Sequence, residues 1–323
     1  MFQLEHTRTM FQLEHFVRTM LCPSPAGWRM LPSSNVLAAP HFASAAYALA
    51  SVLAWGTSDF LGGYATRRAN AFLFAVVFNL GGLALAATVA AAIHAPFPST
   101  RTILWVLAGG MFGGAAVAIF FRALSQGRMG VTAPIAAVLG AAIPTLFSIF
   151  TEGLPGKLPI FGFFVASLGL WLITRTQPGE GIDEDGGRPA GIGLAVLAGL
   201  GFACFYLCIR QAGDASVFWI AALSRTGGLV VTGVVVLVGG NFRDITSAGV
   251  RWAVLTGCID SLGTILFVRA SQTGRLDEAV VISSLYPAVT VLLARLFLKE
   301  HFTRWRFVGL LAALAAVPMI ASG

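Results

Sequence analysis

Charged side chains are scarce in this chain. Asp, Glu, Lys and Arg make up 11% of its 323 residues, whereas hydrophobic residues make up 57%. A soluble domain carries about 25% charged residues. So little charge cannot cover a water-soluble globule of this length, and the mean hydropathy of +0.81 agrees. The composition indicates a protein whose natural solvent is lipid.

The chain also lacks a basic face, although its formal net charge is +7. Its Lys and Arg residues stand singly at the ends of apolar runs, where helix ends meet lipid headgroups. Nucleic-acid binding needs basic residues clustered on one surface. We therefore predict membrane lipids as surroundings and no nucleic-acid partner.

Motifs for metal binding, hydrolysis and ATP use are absent as well. Only four cysteines occur, and the pair Cys204 and Cys208 has no His or acidic residue nearby, so we interpret them as packing residues. No Walker A, His-Glu-x-x-His or Gly-x-Ser-x-Gly sequence appears, and the five histidines do not cluster. We predict no metal, no cofactor and no enzymatic activity.

What the chain does have is a series of apolar runs of about 20 residues, the length that crosses a bilayer as a helix. Ten spans are predicted: 42–64, 70–93, 102–122, 130–151, 158–175, 191–210, 216–239, 250–269, 277–298 and 306–322. The fold class is therefore all-α integral membrane. Residues 1–40 differ in composition, and we predict a flexible tail there, with Met20 and Met30 as alternative starts of the protein.

An internal repeat organises these spans. Shifting the sequence by 147 residues places Trp105 on Trp252 and Arg122 on Arg269, and a shift of 146 places Gly81-Gly82 on Gly227-Gly228. We predict a first repeat at 41–176, an acidic linker at 177–190 and a second repeat at 191–323. Five spans per repeat is an odd number, so the two repeats must be inverted relative to each other, a recurrent design in transporters.

Charged residues within the spans are costly in lipid and need a reason. Asp260 lies near the middle of the eighth span, where the first repeat has Gly113. It could bind a cationic substrate or couple transport to protons, or it could be a buried acid that joins helices. Asp59 and Trp55, four residues apart, could offer an acceptor beside a stacking surface. Asp59 could instead be a hydrated helix-end charge.

Arg225 takes the place of Asn79 in the second repeat. It could pair with Asp260, attract an anion, or extend to the membrane surface. Arg295 is close to a span end, where it is interpreted as an anchor.

Prolines within spans remove backbone donors. Pro134 and Pro144 in the fourth span and Pro287 in the ninth occupy corresponding regions of the two repeats, and Ser283, Ser284 and Tyr286 lie beside Pro287. Such breaks persist in lipid where protein or water satisfies the freed groups. They predict a cavity at this level, although a packing kink is the simpler alternative.

Three stretches resemble a known family: Trp55-Gly-Thr-Ser-Asp-Phe-Leu-Gly-Gly63 with Arg67-Arg68, Arg122–Ala136, and Ser283–Glu300. They look like the EamA family of the drug/metabolite transporter superfamily, from about residue 42 onward. The resemblance implies ten helices in two inverted repeats and a central cavity reached alternately from each side. The family often has Gly-Glu where the fourth and ninth helices end. Here Glu152 and Glu300 are present, but Thr151 and Lys299 replace the glycine.

These observations predict a secondary transporter, an exporter or permease, that moves a small metabolite or drug-like solute across the cytoplasmic membrane, with protons as a candidate coupling ion. The alternatives are a membrane scaffold or receptor and, less favoured, an intramembrane enzyme. Lys and Arg in the connections divide eleven against eight, which would place both termini outside. The resemblance implies cytoplasmic termini, which we adopt.

Overall fold

The computed structural model describes residues 38–67, 69–126, 129–174, 192–239, 246–298 and 304–320. The chain divides into two units, Met1–Ala39 and Pro40–Gly323, and the second unit contains the helical bundle. Residues 1–37 of the predicted tail and the whole predicted linker, 177–190, lie outside the described residues.

Helices account for all the regular structure in the described residues, and they follow the ten predicted spans in order. The ninth span contains two helices, so the numbering runs to eleven. The helices are α1 (Ala38–Ala65), α2 (Ala71–Ala92), α3 (Thr100–Gln126), α4 (Met129–Glu152), α5 (Lys157–Thr174), α6 (Ile192–Arg210), α7 (Val217–Gly239), α8 (Ser247–Thr273), α9 (Leu276–Ser283), α10 (Tyr286–Leu298) and α11 (Arg304–Ile320).

Six helical segments in the described part of the chain are long and apolar enough to cross a membrane: Ala71–Ala92, Thr100–Ser125, Gly193–Arg210, Val217–Gly239, Ser247–Thr273 and Leu276–Phe297. Large apolar side chains also point away from the bundle, with Phe150 and Val238 each 85% exposed. An outer surface of this kind is suited to lipid and would be unfavourable in water.

Helix starts are set by local polar groups. The side chain of Asn70 accepts hydrogen bonds from the backbone N–H groups of Phe72 at 2.9 Å and Leu73 at 3.2 Å, which begins α2. Thr246 accepts from the N–H of Gly249 at 3.1 Å and begins α8 in the same way. These caps satisfy donors that have no partner within the first turn of a helix.

Glycines allow the central helices to approach backbone to backbone. A side chain at Gly257 of α8 would meet the backbone of Phe78 in α2, and one at Gly110 of α3 would meet the backbone of Ser224 in α7. Small residues at such contacts are the usual means of close packing in membranes. These glycine contacts bring α2 against α8 and α3 against α7.

Prolines have different effects on the helices of the fourth and ninth spans. Helix α4 continues through Pro134 and Pro144, whereas the ninth span is interrupted between Ser283 and Tyr286. Pro287 has no N–H to donate to the carbonyl one turn earlier, and the chain makes short-range bonds instead, including Leu285 N–H to Ile282 O at 3.1 Å. Helix α10 then begins with Pro287 in its first turn, where a missing donor costs little.

Candidate functional site

A cavity lies among α1, α2, α3, α6, α7, α8 and α10, and both predicted repeats contribute to its wall. The empty space between its lining residues, including the open mouth, is about 580 Å³. The lining residues are Trp55, Asp59, Asn79, Gly110, Gly113, Gly114, Val117, Phe202, Phe205, Tyr206, Ser224, Arg225, Asp260, Thr264 and Tyr286.

The strongest polar interaction of this cavity joins α7 to α8. The guanidinium of Arg225 forms a hydrogen-bonded ion pair with the carboxylate of Asp260. Both residues are buried, each 7% exposed. Arg225 therefore turns inward to the acid, and it does not extend to the bundle surface.

Further contacts hold Arg225 in one orientation. Its Nε donates to Ser261 Oγ at 3.0 Å and its Nη2 donates to Thr264 Oγ1 at 2.8 Å. The guanidinium carbon lies 5.2 Å from the centre of the Phe78 ring, within cation–π distance. Gly82 leaves the room for this arrangement, because a side chain there would meet Ser261 and the stem of Arg225.

Asp260 is held from the first predicted repeat as well. Ser58 Oγ on α1 donates to Asp260 Oδ1 at 3.4 Å, and the same hydroxyl lies 3.3 Å from the carbonyl oxygen of Thr256. An ion pair buried in an apolar bundle is stable only when such additional hydrogen bonds complete it. The pair and its partners form a closed network across α1, α7 and α8.

Asp59 is the second acid of the cavity, and its situation is different. The residue is 8% exposed, lines the cavity and lies close enough to Asp260 for the two carboxylates to interact electrostatically. Among the hydrogen bonds and ion pairs of the described residues, none involves the Asp59 carboxylate, and Arg67 is exposed at the helix end without contacting it.

Aromatic rings cover one side of the cavity. The ring centres of Trp55 and Phe267 are 5.3 Å apart, those of Tyr206 and Phe267 are 4.9 Å apart, and those of Trp55 and Tyr206 are 6.1 Å apart. Trp55 and Asp59 are one helical turn apart on α1 and both line the cavity. The acid therefore lies beside a wall of tilted aromatic rings.

The residues around the interruption of the ninth span divide into two groups. Tyr286 lines the cavity, and its buried hydroxyl has no hydrogen-bond partner in the part of the chain that the structure describes. Ser283 Oγ lies 2.8 Å from Ser51 Oγ, and Ser284 Oγ donates to Val281 O at 2.7 Å. These two serines make contacts between or within helices and are not among the lining residues, nor are Pro144 and Pro287.

Sequence reasoning missed several lining residues, although the repeat offset could have found them. At an offset of 147, Trp55 corresponds to Phe202, Asp59 to Tyr206, Gly113 to Asp260 and Val117 to Thr264, and at 146 Asn79 corresponds to Arg225. All of these residues line the cavity. Carrying the candidates Trp55 and Asp59 across to the second repeat would have identified Phe202 and Tyr206.

The described structure therefore defines a helical protein with several membrane-spanning segments and a polar cavity enclosed by its helices. Residues 189–322 match the model of the EamA-like transporter family. The match confirms, for this part of the chain, the sequence resemblance to the EamA family of the drug/metabolite transporter superfamily.

Two further comparisons agree in scale and fold. An uncharacterized protein of Methanocaldococcus jannaschii is 24% identical over 129 residues, which are 40% of this chain and 93% of that protein. The relative is thus about as long as one predicted repeat. A solved crystal structure superposes with a TM-score of 0.69 over 85% of this chain and 97% of its own, at 14% identity, and this likeness shows the fold alone.

Proposed function

We propose that this protein is a secondary transporter that carries a small solute through the central cavity by alternating access. The observation that carries the proposal is the cavity itself, which contains buried charged side chains and is lined by helices of both predicted repeats, the second of which matches the EamA-like transporter family. Solute sites of secondary transporters lie at the interface of their repeats near the middle of the membrane. Because the chain has no ATP-binding motif, the driving force is an ion gradient or the gradient of the solute itself.

Paired contacts support a two-fold relation between the repeats. Gly81 lies against Val254, and the residues at the repeat offsets, Gly227 and Leu107, also lie against each other. The contacts on both sides of the bundle therefore interchange when the two repeats are exchanged.

Two more pairs of contacts follow the same rule. The contact of Gly257 with Phe78 corresponds to that of Gly110 with Ser224, and the contact of Gly82 with Ser261 corresponds to that of Gly228 with Gly114. A rotation that exchanges the two repeats is a rotation about a two-fold axis. With five spans per repeat, the axis lies in the membrane plane, which is the inverted arrangement that makes two exchangeable open states equivalent in backbone structure.

The proposed setting is the cytoplasmic membrane, with both chain ends on the cytoplasmic side. An even number of spans returns the chain to the side on which it began. Export and uptake are both compatible with this topology, and the test below does not depend on the direction.

The test uses two matched tryptophan substitutions in liposomes. Val117 lines the cavity, whereas Val238 is 85% exposed on the outer surface. Protein-containing liposomes loaded with a cell extract are expected to release a subset of solutes, measured by mass spectrometry. Val117→Trp should abolish that release because the indole fills the cavity, while Val238→Trp should leave it unchanged.

Absence of solute release from wild-type liposomes with correctly folded protein would refute the transport proposal. Equal release by the two variants would place the path elsewhere. Covalent change in any released solute would favour an enzyme.

A further inference from the structure

We infer that the transported solute is a small organic cation, an ammonium group on an apolar or aromatic body, and that Asp59 holds its charge. This inference rests on the proposed transport function and names its substrate class. It follows from the charges of the cavity, taken one at a time.

The first step is that Arg225 and Asp260 cancel each other. The guanidinium contacts the carboxylate directly through Nη2, and its Nε and Nη2 also donate to Ser261 and Thr264. One face of the guanidinium lies over the Phe78 ring. The charge of Arg225 is therefore already matched by Asp260, which leaves an anionic solute no uncompensated cation.

The second step is that Asp59 has no counter-charge of its own among the described residues. The lining residues of the described chain include two carboxylates, Asp59 and Asp260, and one cation, Arg225. Asp59 is more than nine-tenths buried and has no hydrogen-bond or ion-pair partner among the described residues. A buried carboxylate without a partner is a position that a bound cation would complete.

The third step concerns the surroundings of that carboxylate. Trp55 lies one turn away on the same helix, and Tyr206 occupies the position in the second repeat that corresponds to Asp59. Rings of Trp and Tyr attract organic ammonium groups through their negative faces. The hydroxyl of Tyr286, buried and without a partner in the described residues, adds an acceptor for an N–H of the solute.

The geometry thus favours a cation over the alternatives. An anion would find the charge of Arg225 already matched by Asp260. A neutral polar solute offers Asp59 a hydrogen bond but no counter-charge. An organic ammonium satisfies the carboxylate and the aromatic wall together.

The test measures binding of radiolabelled benzyltrimethylammonium to detergent-purified protein by equilibrium dialysis. This probe keeps its charge at any pH, so it separates cation binding from simple proton uptake. Benzyl alcohol and benzoate provide the neutral and anionic comparisons. Wild-type protein is expected to bind benzyltrimethylammonium at least about tenfold more tightly than either, because a charge-assisted contact contributes that much in a dry site.

Asp59→Asn should weaken this binding by about 10- to 100-fold, and Asp59→Glu should retain most of it. Asp214, an exposed loop acid, supplies the matched control, since Asp214→Asn removes the same charge outside the cavity and should change nothing. Trp55→Leu should weaken binding by about twofold to fivefold through loss of the cation–π contact, with Trp55→Phe intermediate. This second series tests the site even if Asp59→Asn does not fold.

Binding of benzoate as tight as that of benzyltrimethylammonium would overturn the inference, and so would unchanged binding by folded Asp59→Asn and Trp55→Leu. Failure of the wild-type protein to bind the cation would overturn it too. The two proposals can fail independently. Release of neutral or anionic solutes from liposomes without cation binding would support transport and overturn the cation inference. Cation binding without any flux keeps Asp59 as a cation site and removes transport.

Discussion

The two predicted repeats build the same backbone contacts but contribute different chemistry to the cavity. Where the second repeat has Asp260 and Thr264 on α8, the first has Gly113 and Val117 on α3. The glycine contacts that hold these helices correspond pair by pair. Backbone packing thus restrains the duplicated positions, whereas cavity side chains are free to diverge. Asp59, Arg225 and Asp260 each have an uncharged counterpart in the other repeat.

The largest expected effect comes from breaking the charge pair that only the second repeat carries. Asp260→Ala leaves Arg225 buried without its counter-charge, which costs about 3–5 kcal/mol of stability. The double variant Arg225→Met with Asp260→Ala should recover most of that loss, because no unpaired charge remains. The apparent melting temperature in detergent measures both.

A double variant no more stable than Asp260→Ala would contradict this account of the ion pair. Substitution at the corresponding position, Gly113→Ala, should cost less, because the nearest atom is a side-chain carbon of Phe205 at 2.9 Å.

The next largest expected loss of stability tests whether corresponding contacts in the two repeats are equivalent. Gly110→Val and Gly257→Val each press a side chain against the backbone of the facing helix and should destabilise the protein by similar amounts, about 2–3 kcal/mol. Gly233 of α7 has nothing within 4 Å of an added side-chain carbon, so Gly233→Ala is the matched control. The folded fraction after heating, measured by size-exclusion chromatography, should fall equally for the first two and not for the third.

A large difference between Gly110→Val and Gly257→Val would show that the two contacts are not equivalent. The outcome would weaken the inverted-repeat proposal without affecting the ion pair.

The smallest expected loss of stability concerns one pair of corresponding positions, Thr264 and Val117. Thr264→Val removes the hydroxyl that accepts from Arg225 Nη2 at 2.8 Å and should cost about 1 kcal/mol. Val117→Thr, the reverse change in the first repeat, should alter stability by less, because no charged donor requires that hydroxyl. The melting temperatures of the two variants measure this difference. A larger loss of stability for Val117→Thr than for Thr264→Val would contradict the structural role given to the Thr264 hydroxyl.

Much of the fold was accessible from the sequence because lipid imposes a simple rule on helix length. The predicted spans agree with the helices to within a few residues at most ends. Asp260 and Arg225 stood out because charge within an apolar run is rare, and their pairing was one of the alternatives that the sequence left open. The interruption of the ninth span was not located to 284–285, since hydropathy does not show where a backbone bond is lost.

Other features depend on neighbours that are distant in the chain. The sequence does not show that Ser283 meets Ser51, a residue 232 positions away, so a hydroxyl that helps two helices pack looks like a site residue. Within their own spans Tyr206 and Asn79 look like ordinary members of apolar runs, and only the repeat offset to Asp59 and Arg225 singles them out. Pro134 and Pro144 do not end α4, because the effect of a proline depends on how surrounding groups satisfy the freed carbonyl.

The contact between Arg225 and Asp260 has a consequence for how a membrane voltage acts on this protein. A transmembrane voltage does work on net charge, about 2.3 kcal/mol per elementary charge for each 100 mV. The neutral pair contributes almost nothing to that work, so voltage would act on the cavity through Asp59 when that residue is ionised. With the proposed monovalent cation bound, the occupied cavity would be neutral and would reorient without electrical cost. An empty cavity with Asp59 ionised would carry a negative charge, and membrane voltage would then set the rate of the return step.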